Sequence, residues 1–362
     1  MDLDKLESNI DVLAAHFHSA GVEWRPHFKG IKVPAIAHRA IRAGAIGVTC
    51  AKLAEAELMA QVGITDLLVA NQVVGPRKVE RLARLSRLAE VKVAVDSTAN
   101  VEEIGRAALA AGTEVHVLVE LNTGMERAGV LPGEPALDLS RSAHATPGIR
   151  YQGLMAWEGH AVRIEDVDKK RRVVEEAVGH LQNSVALCRD AGLPVDIVSG
   201  GGSGTYQITP FFEQITEIQA GGAILSDAAN RTRHVATDPA IFLRATITSR
   251  PEPDRILHDA GFKALPVFYG DPEPLGLANV AEIRTSAEHG IIALSAPSDA
   301  PAIGTGIDFV IGYGDITVFM HDVLYGVRDG IVEAEWPIAC LLYTSDAADE
   351  GLGVDLGGRR II

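Results

Sequence analysis

From Trp24 to Gln219 the chain alternates short apolar runs with helix-length segments, and that alternation admits few architectures. Trp24–Pro26, Gly47–Cys50, Asp66–Ala70, Val91–Val95, Glu114–Glu120, Tyr151–Ala156, Ile197–Ser199 and Glu217–Gln219 read as strands. Pro34–Arg42, Lys52–Gln61, Pro76–Leu88, Thr98–Ala110, Ala136–Ala143 and Ile164–Asp190 read as helices, and residues 2–20 as an amphipathic one with Leu6, Ile10, Leu13 and Phe17 on one side. Strands this apolar ask for a parallel sheet covered by helices, and eight repeats favour closure over an open, doubly wound sheet. The expected fold class is therefore α/β: a (β/α)8 TIM-type barrel followed by a C-terminal antiparallel β domain. The change comes at about residue 235. Beyond it, Phe242–Ser249, Phe262–Phe268, Gly290–Leu294, Asp308–Ile311 and Ile316–Met320 alternate or run apolar between Gly, Pro and Asp, with no good helix among them. Val332–Ile338 reads as a last strand.

The organising stretch within the first strand-and-turn is Trp24-Arg-Pro-His-Phe-Lys-Gly-Ile-Lys-Val. Pro26 lacks an N–H and ends or frays a strand, while Phe28 and Ile31 call for burial. A lysine held partly desolvated at the mouth of a strand becomes a usable amine nucleophile for a carbonyl. The alternative is that Lys29 and Lys32 are solvated loop lysines. Net charge −15 argues against nucleic acid or an anionic membrane as partner. The three cysteines lie far apart, which excludes a disulfide framework or a cysteine-built zinc site and suits a reducing, cytoplasmic setting. No apolar run reaches the length of a membrane span.

In a barrel the active site lies at the C-terminal ends of the strands, with phosphate often held by the loops after strands seven and eight. Ser199-Gly-Gly-Gly-Ser-Gly-Thr follows the seventh run and Gly221-Gly222 the eighth. Glycines there let backbone N–H groups approach an anion, and Ser203, Thr205 and Tyr206 add hydroxyls. The strand–G-x-G-x-x-G–helix pattern of a dinucleotide site near the N-terminus is missing, which makes NAD a poor candidate. A lysine after strand one and a phosphate cup after strands seven and eight face one mouth. That pairing suits pyridoxal 5'-phosphate, anchored by its phosphate and held at its aldehyde by the lysine.

These motifs resemble the D-threonine aldolase/D-serine dehydratase family of fold-type III (alanine-racemase-like) pyridoxal-phosphate enzymes. The resemblance is carried by Arg25-Pro-His-Phe-Lys-Gly-Ile-Lys, Ala70-Asn-Gln-Val-Val-Gly, Val93-Ala-Val-Asp-Ser, Glu158-Gly-His, Ser199-Gly-Gly-Gly-Ser-Gly-Thr-Tyr, Gln219-Ala-Gly-Gly and Glu288-His-Gly. It divides the chain into a remnant of the family's N-terminal region with the start of the first helix (1–9), a cofactor-binding barrel (10–235), a D-serine-dehydratase-like β domain (236–339) and a tail (340–362). The tail resembles a translated sequencing-adapter read-through and is set aside. The resemblance implies that Lys29 is the Schiff-base lysine and Lys32 the secondary one. It implies that His27, Gln72 and Arg127 line the cofactor pocket, and that Ser203, Gly204, Thr205, Tyr206, Gly221 and Gly222 hold its phosphate. His160 falls on a pocket position too, with a hydrogen-bonded structural histidine as the alternative; for Arg127 the alternative is a surface ion pair with Glu126.

One departure from the family stands out. Its metal site has the form Gly-His-x-Asp-x-Thr, whereas here Gly312-Tyr-Gly-Asp-Ile-Thr keeps Asp315 and puts Tyr313 where the histidine belongs. A neutral phenol is a poor ligand for a divalent metal, so loss of the ion is expected, unless another side chain replaces the ligand. Tyr313 then becomes a candidate acid/base, provided lysine or arginine neighbours lower its pKa. The implied activity is that of a pyridoxal-phosphate lyase on D-β-hydroxy amino acids, by retro-aldol cleavage to glycine and an aldehyde or by dehydratase-type elimination. A racemase using Lys29 and Tyr313 as opposed bases is an alternative, and a non-catalytic cofactor carrier, usually a barrel alone, is a third. A small-molecule amino-acid substrate and a homodimer follow from the same resemblance.

Overall fold

The computed structural model describes residues 1–339, and the segment set aside above, 340–362, lies outside the described residues. Strands β1 (Glu23–Trp24), β2 (Val48–Cys50), β3 (Asp66–Gln72), β4 (Glu90–Val95), β5 (Val115–Leu121), β6 (Ile149–Ala156), β7 (Ile197–Gly200) and β8 (Glu217–Ile218) form one parallel sheet, ordered β1-β8-β7-β6-β5-β4-β3-β2. The sheet curls until its two ends meet. Ile46 N donates to Trp24 O (2.9 Å), Thr49 N to Pro26 O (2.9 Å) and Phe28 N to Thr49 O (2.8 Å), which ties β2 to the chain after β1. The first strand is shorter than expected because Pro26 offers the ladder no donor. On its other side, Arg25 N and His27 N donate to Ile218 O and Gln219 O. Backbones run so close here that a Cβ on Gly221 would lie 2.0 Å from His27 O.

Helices α1 (Leu3–Ala20), α2 (Pro34–Arg42), α3 (Leu53–Gln61), α4 (Pro76–Leu85), α5 (Thr98–Ala111), α6 (Glu134–Ala145) and α7 (Val167–Asp190) cover the sheet. Their ends follow local chemistry. Pro34 and Pro76 open α2 and α4, where a missing N–H costs nothing. Asp166 caps α7 by accepting from Lys169 N at 2.7 Å, which starts that helix three residues later than the apolar Ile164 suggests. Apolar side chains between strands and helices form the main core, while Leu68, Ala94, Leu118 and Met155 make a separate small one from inward-facing positions of β3–β6. Below it, buried Arg25 pairs with Glu217 (3.0 Å) and Asp66 (2.6 Å), and buried Lys92 with Asp66 (2.7 Å). No helix among the described residues is long and apolar enough to cross a membrane.

A short helix α8 (Ala228–Thr232) leads into β9 (Phe242–Glu252), β10 (Arg255–His258), β11 (Glu273–Pro274), β12 (Val280–Thr285), β13 (Gly290–Leu294) and β14 (Gly306–Val310). These form an antiparallel sheet ordered β11-β14-β9-β10-β13-β12. After a short helix α9 (Gly314–Thr317) comes a hairpin of β15 (Val323–Arg328) and β16 (Ile331–Pro337). Two expected strands are absent from the β domain. Phe262–Phe268 is a turn in which Ala264 N and Leu265 N both donate to Gly261 O, burying Leu265 and leaving Phe262 and Phe268 exposed. Ile316–Met320 is helical, because Thr317 N and its hydroxyl both bond Tyr313 O, a local closure that overrides the β-branched composition. The turn between barrel and β domain is stitched by three hydrogen bonds: Ala228 N to Ile311 O (3.1 Å), Ala229 N to Gly312 O (3.0 Å) and Gly314 N to Asp227 Oδ2 (2.8 Å). They carry residues 313–315 over the barrel mouth.

Candidate active site

A cavity of about 330 Å³ opens at the C-terminal ends of the barrel strands, a volume suited to a small organic ligand. Lys29 (after β1), Gln72 (β3), Glu120 (β5), Ala156 (β6) and Trp157 just after it, the loop after β7, and Gln219 and Gly221 (after β8) line it. Tyr313 and Asp315 of the β domain form part of the same wall.

The two lysines part company. The Lys29 side chain is 48% exposed, in the cavity wall, with Nζ 3.4 Å from Asp315 Oδ2. Lys32 turns away into a buried pair, 2.6 Å from Glu55 Oε1. Gly30 lets the lysine turn and the β domain touch, since a Cβ there would stand 2.1 Å from Asp315 Oδ1. His27 lies in the wall as well. Its burial, with Lys29, Arg127 and Lys32 adding like charge, holds the imidazole well below its usual pKa, so it is neutral.

On the opposite side, Gln72 Nε2 donates to Glu120 Oε2 at 2.6 Å and Arg127 lies 3.6 Å from Glu120 Oε1. Arg127 therefore pairs with Glu120, a residue the motifs did not point to, rather than with Glu126. Burial pushes the Glu120 carboxyl up, opposed by its hydrogen bond from Gln72 and the charge of Arg127.

The glycine-rich loop meets the requirements of an anion cup. The N–H groups of Ser203, Gly204 and Gly222 donate to no protein acceptor among the described residues, and all three residues line the cavity. Ser203 Oγ accepts from Ala223 N at 2.9 Å, joining the β7 and β8 loops. Gly202 packs beneath the Trp157 indole, where a Cβ would lie 2.3 Å from the ring. Unspent amides around a cavity, with an amine facing them, fit a phosphate-bearing aldehyde cofactor.

Three expected residues stand elsewhere. Thr205 is buried behind the cup, where its hydroxyl donates to Glu158 Oε1 (2.7 Å) and accepts from Gly202 N (3.2 Å), so it braces the loop. Tyr206 packs in the core against Phe17 and His16. His160 rests against Gly124, off the cavity wall, with Nδ1 buried and without a protein partner among the described residues.

The requirement that neighbours lower the Tyr313 pKa is not met. Burial, and then the charge of Asp315, raise its phenol above the ordinary value despite Arg233 nearby. Tyr313 is a neutral donor, its hydroxyl 3.2 Å from Asp315 Oδ2, which leaves it unsuited to act as a racemase base. Asp315 is thus engaged by a phenol and an ammonium. No group of three His, Cys, Asp or Glu side chains able to hold a metal converges among the described residues, and this donor set does not fit a divalent ion.

Sequence reasoning also missed Asp227 and Arg233, both in the cavity wall. Asp227 caps α8, accepting from Asn230 N at 2.8 Å, and burial pushes its carboxyl up to about 6. The cap was readable in Asp227-Ala-Ala-Asn; its place beside Tyr313 was not.

The family description "Alanine racemase, N-terminal domain" matches residues 1–228, and that of a serine dehydratase domain matches 240–327. The D-threonine aldolase of Arthrobacter sp is 32% identical over 343 residues, covering 94% of this chain and 90% of the relative. The 3-hydroxy-D-aspartate aldolase of Paracoccus denitrificans is 32% identical over 350 residues, with the same coverage of 94% and 90%. Among solved structures, D-threonine aldolase from Filomicrobium marinum superposes with a TM-score of 0.91 at 35% identity, covering 94% of each chain. Together with the amine and the anion cup, these similarities make the chain a pyridoxal-phosphate-dependent lyase that belongs to the alanine-racemase-like, fold-type III enzymes, in their D-threonine aldolase/D-hydroxyaspartate group.

Proposed function

We propose that the chain cleaves D-β-hydroxy amino acids by retro-aldol chemistry, giving glycine and an aldehyde. The observation that carries this reading is the Asp315 carboxylate, 3.4 Å from Lys29 Nζ and bonded by the Tyr313 hydroxyl at the cavity wall. Bound pyridoxal phosphate supplies the electron sink that lets a bond at Cα break. Lys29 would hold the cofactor's aldehyde carbon, the amides of Ser203, Gly204 and Gly222 would hold its phosphate, and Arg127, Gln72 and Glu120 would be the polar groups available to its ring. Asp315 accepts the proton of the substrate's β-hydroxyl as Cα–Cβ breaks, Tyr313 keeps that carboxylate oriented, and a solvent proton added at Cα completes glycine. Elimination needs the hydroxyl to leave as hydroxide, which a Lewis acid assists. The donors around Asp315 do not fit such an ion, whereas cleavage of Cα–Cβ asks only for a base at the hydroxyl. The aldolase activities of the two relatives support the same direction.

In this reading the barrel, 10–235, carries the cofactor, and the β domain, 236–339, supplies Tyr313 and Asp315. The enzyme works as a cytoplasmic homodimer without a nucleic-acid partner, a placement supported by the family resemblance and the net charge of −15. The test is product analysis with D-threonine and cofactor-loaded protein. Acetaldehyde and glycine in equal amounts are expected; 2-oxobutanoate with ammonia, or L-allo-threonine, overturns the reading in favour of a dehydratase or a racemase.

A further inference from the structure

We propose that Arg233 anchors the α-carboxylate of the substrate, and that the wall around it selects an uncharged β-substituent. Arg233 is the C-cap of α8, half-buried, with its side chain in the cavity wall. Its stem starts from a fixed point: its carbonyl accepts from Lys170 Nζ at 3.1 Å and its N–H donates to Asn230 O at 3.2 Å. The guanidinium lies against the face of Tyr313, 5.4 Å from the ring centroid. Among the described residues that ring is its one direct partner, with no ion pair or side-chain hydrogen bond, so the N–H donors of its planar fork are unspent.

Charge decides what they are for. Four basic side chains line the cavity: His27, which is neutral, and Lys29, Arg127 and Arg233. Lys29 faces Asp315 and is committed to the cofactor's aldehyde, Arg127 is shared with Glu120, and the cofactor's phosphate is met by backbone amides. An amino acid entering the cavity brings a carboxylate that loses its water, and a desolvated anion without a cation is costly. A guanidinium fork matches a carboxylate in bidentate fashion. With Arg233 spent on the α-carboxylate, a second carboxylate on Cβ would share its wall with Asp227 and Asp315 and find no uncommitted cation. The cavity is therefore built for threonine-like substrates rather than for 3-hydroxyaspartate. This statement of substrate class rests on the lyase reading above; the anchor does not.

A rival occupant is the cofactor's phosphate, since Asn230, on the same helix, bonds Gly222 O of the cup at 3.4 Å. Calorimetric titration of the holoenzyme with D-alanine, which has no hydroxyl to cleave, and with D-alaninamide, which has no anion, separates the two. In Arg233→Leu, D-alanine binding is expected to weaken about ten- to hundredfold, the scale of a charge-assisted hydrogen-bond pair, with amide binding and cofactor content unchanged. Arg233→Lys should recover part of the loss and also guards against a leucine variant that misfolds. Equal losses for acid and amide, an unchanged D-alanine affinity, or cofactor lost on dialysis of the lysine variant each overturn the anchor. For the substrate class, kcat/KM for D-threonine should exceed that for D-threo-3-hydroxyaspartate, and the reverse order overturns it. If no β-hydroxy substrate releases an aldehyde, the lyase reading fails, while the contrast between D-alanine and its amide still judges the anchor.

Discussion

Methionine substituted at Lys29 and at Lys32, three residues apart, should produce opposite phenotypes. Lys32 Nζ is 2.6 Å from Glu55 Oε1, with the two side chains 12% and 8% exposed. Removing one member of a buried pair strands the other charge and costs about 3–5 kcal/mol. Two features reduce that here. Glu55 Oε2 also accepts from Ala51 N (2.8 Å) and Lys52 N (3.3 Å), and the carboxylate lies in the first turn of α3, where the helix dipole favours it. The expected loss for Lys32→Met is therefore roughly 2–3 kcal/mol. Lys29 is half exposed and its pair with Asp315 is longer, so Lys29→Met should change stability by only about 0–1 kcal/mol. Urea unfolding of the cofactor-free proteins reads the first difference. Borohydride trapping of bound cofactor, followed by peptide mass mapping, reads the second: the label stays on residue 29 in Lys32→Met and vanishes in Lys29→Met. Adding Glu55→Gln to Lys32→Met should restore part of the lost stability, because it removes the stranded charge. Lys32→Met as stable as the parent protein, or a label on residue 32, refutes the division of labour.

Other consequences follow from the same contacts. Gly30→Ala puts a Cβ 2.1 Å from Asp315 Oδ1, so it should cut kcat at least about tenfold by displacing that carboxylate, with cofactor binding and Tm nearly unchanged. Tyr313→Phe should lower kcat/KM about tenfold without moving the alkaline limb of the pH profile, because the raised phenol stays protonated throughout; loss of that limb would show that it titrates. His258 is buried against Phe309, and burial lowers its pKa to about 4. The unfolded chain then binds the extra proton between about pH 6.5 and 4, so stability at this site is full above 6.5 and falls by about 3 kcal/mol as the pH drops to 4. Asp227, raised to about 6, acts the other way: its protonated form favours the folded state, so stability is lost as the pH rises from about 4 to 6. Urea midpoints of the parent and of His258→Phe across this range isolate the histidine, and parallel curves would contradict its assignment.

The chain by itself determined the layered plan. Short apolar runs, prolines at helix starts and the glycines after β7 are local features, and each acts within a few residues of itself. They were enough to place the barrel strands to within a few residues, and to mark Lys29 and the Ser203–Gly204 cup. The local signal failed for Phe262–Phe268 and Ile316–Met320, where a turn closed by Gly261 and a threonine back-bond outweigh β-branched composition. What only tertiary structure decided is which side chains share a wall. Motif spacing put Thr205 and Tyr206 in the cup, but one braces Glu158 and the other fills the core. It gave no hint of Arg233, nor of Glu120, the carboxylate that pairs with Arg127 in the cavity wall. Partners distant in sequence meet through barrel closure and the three hydrogen bonds that dock residues 227–229 on 311–314. The protonation state of Tyr313 belongs to the same class, since the burial that raises its phenol most is a product of tertiary packing.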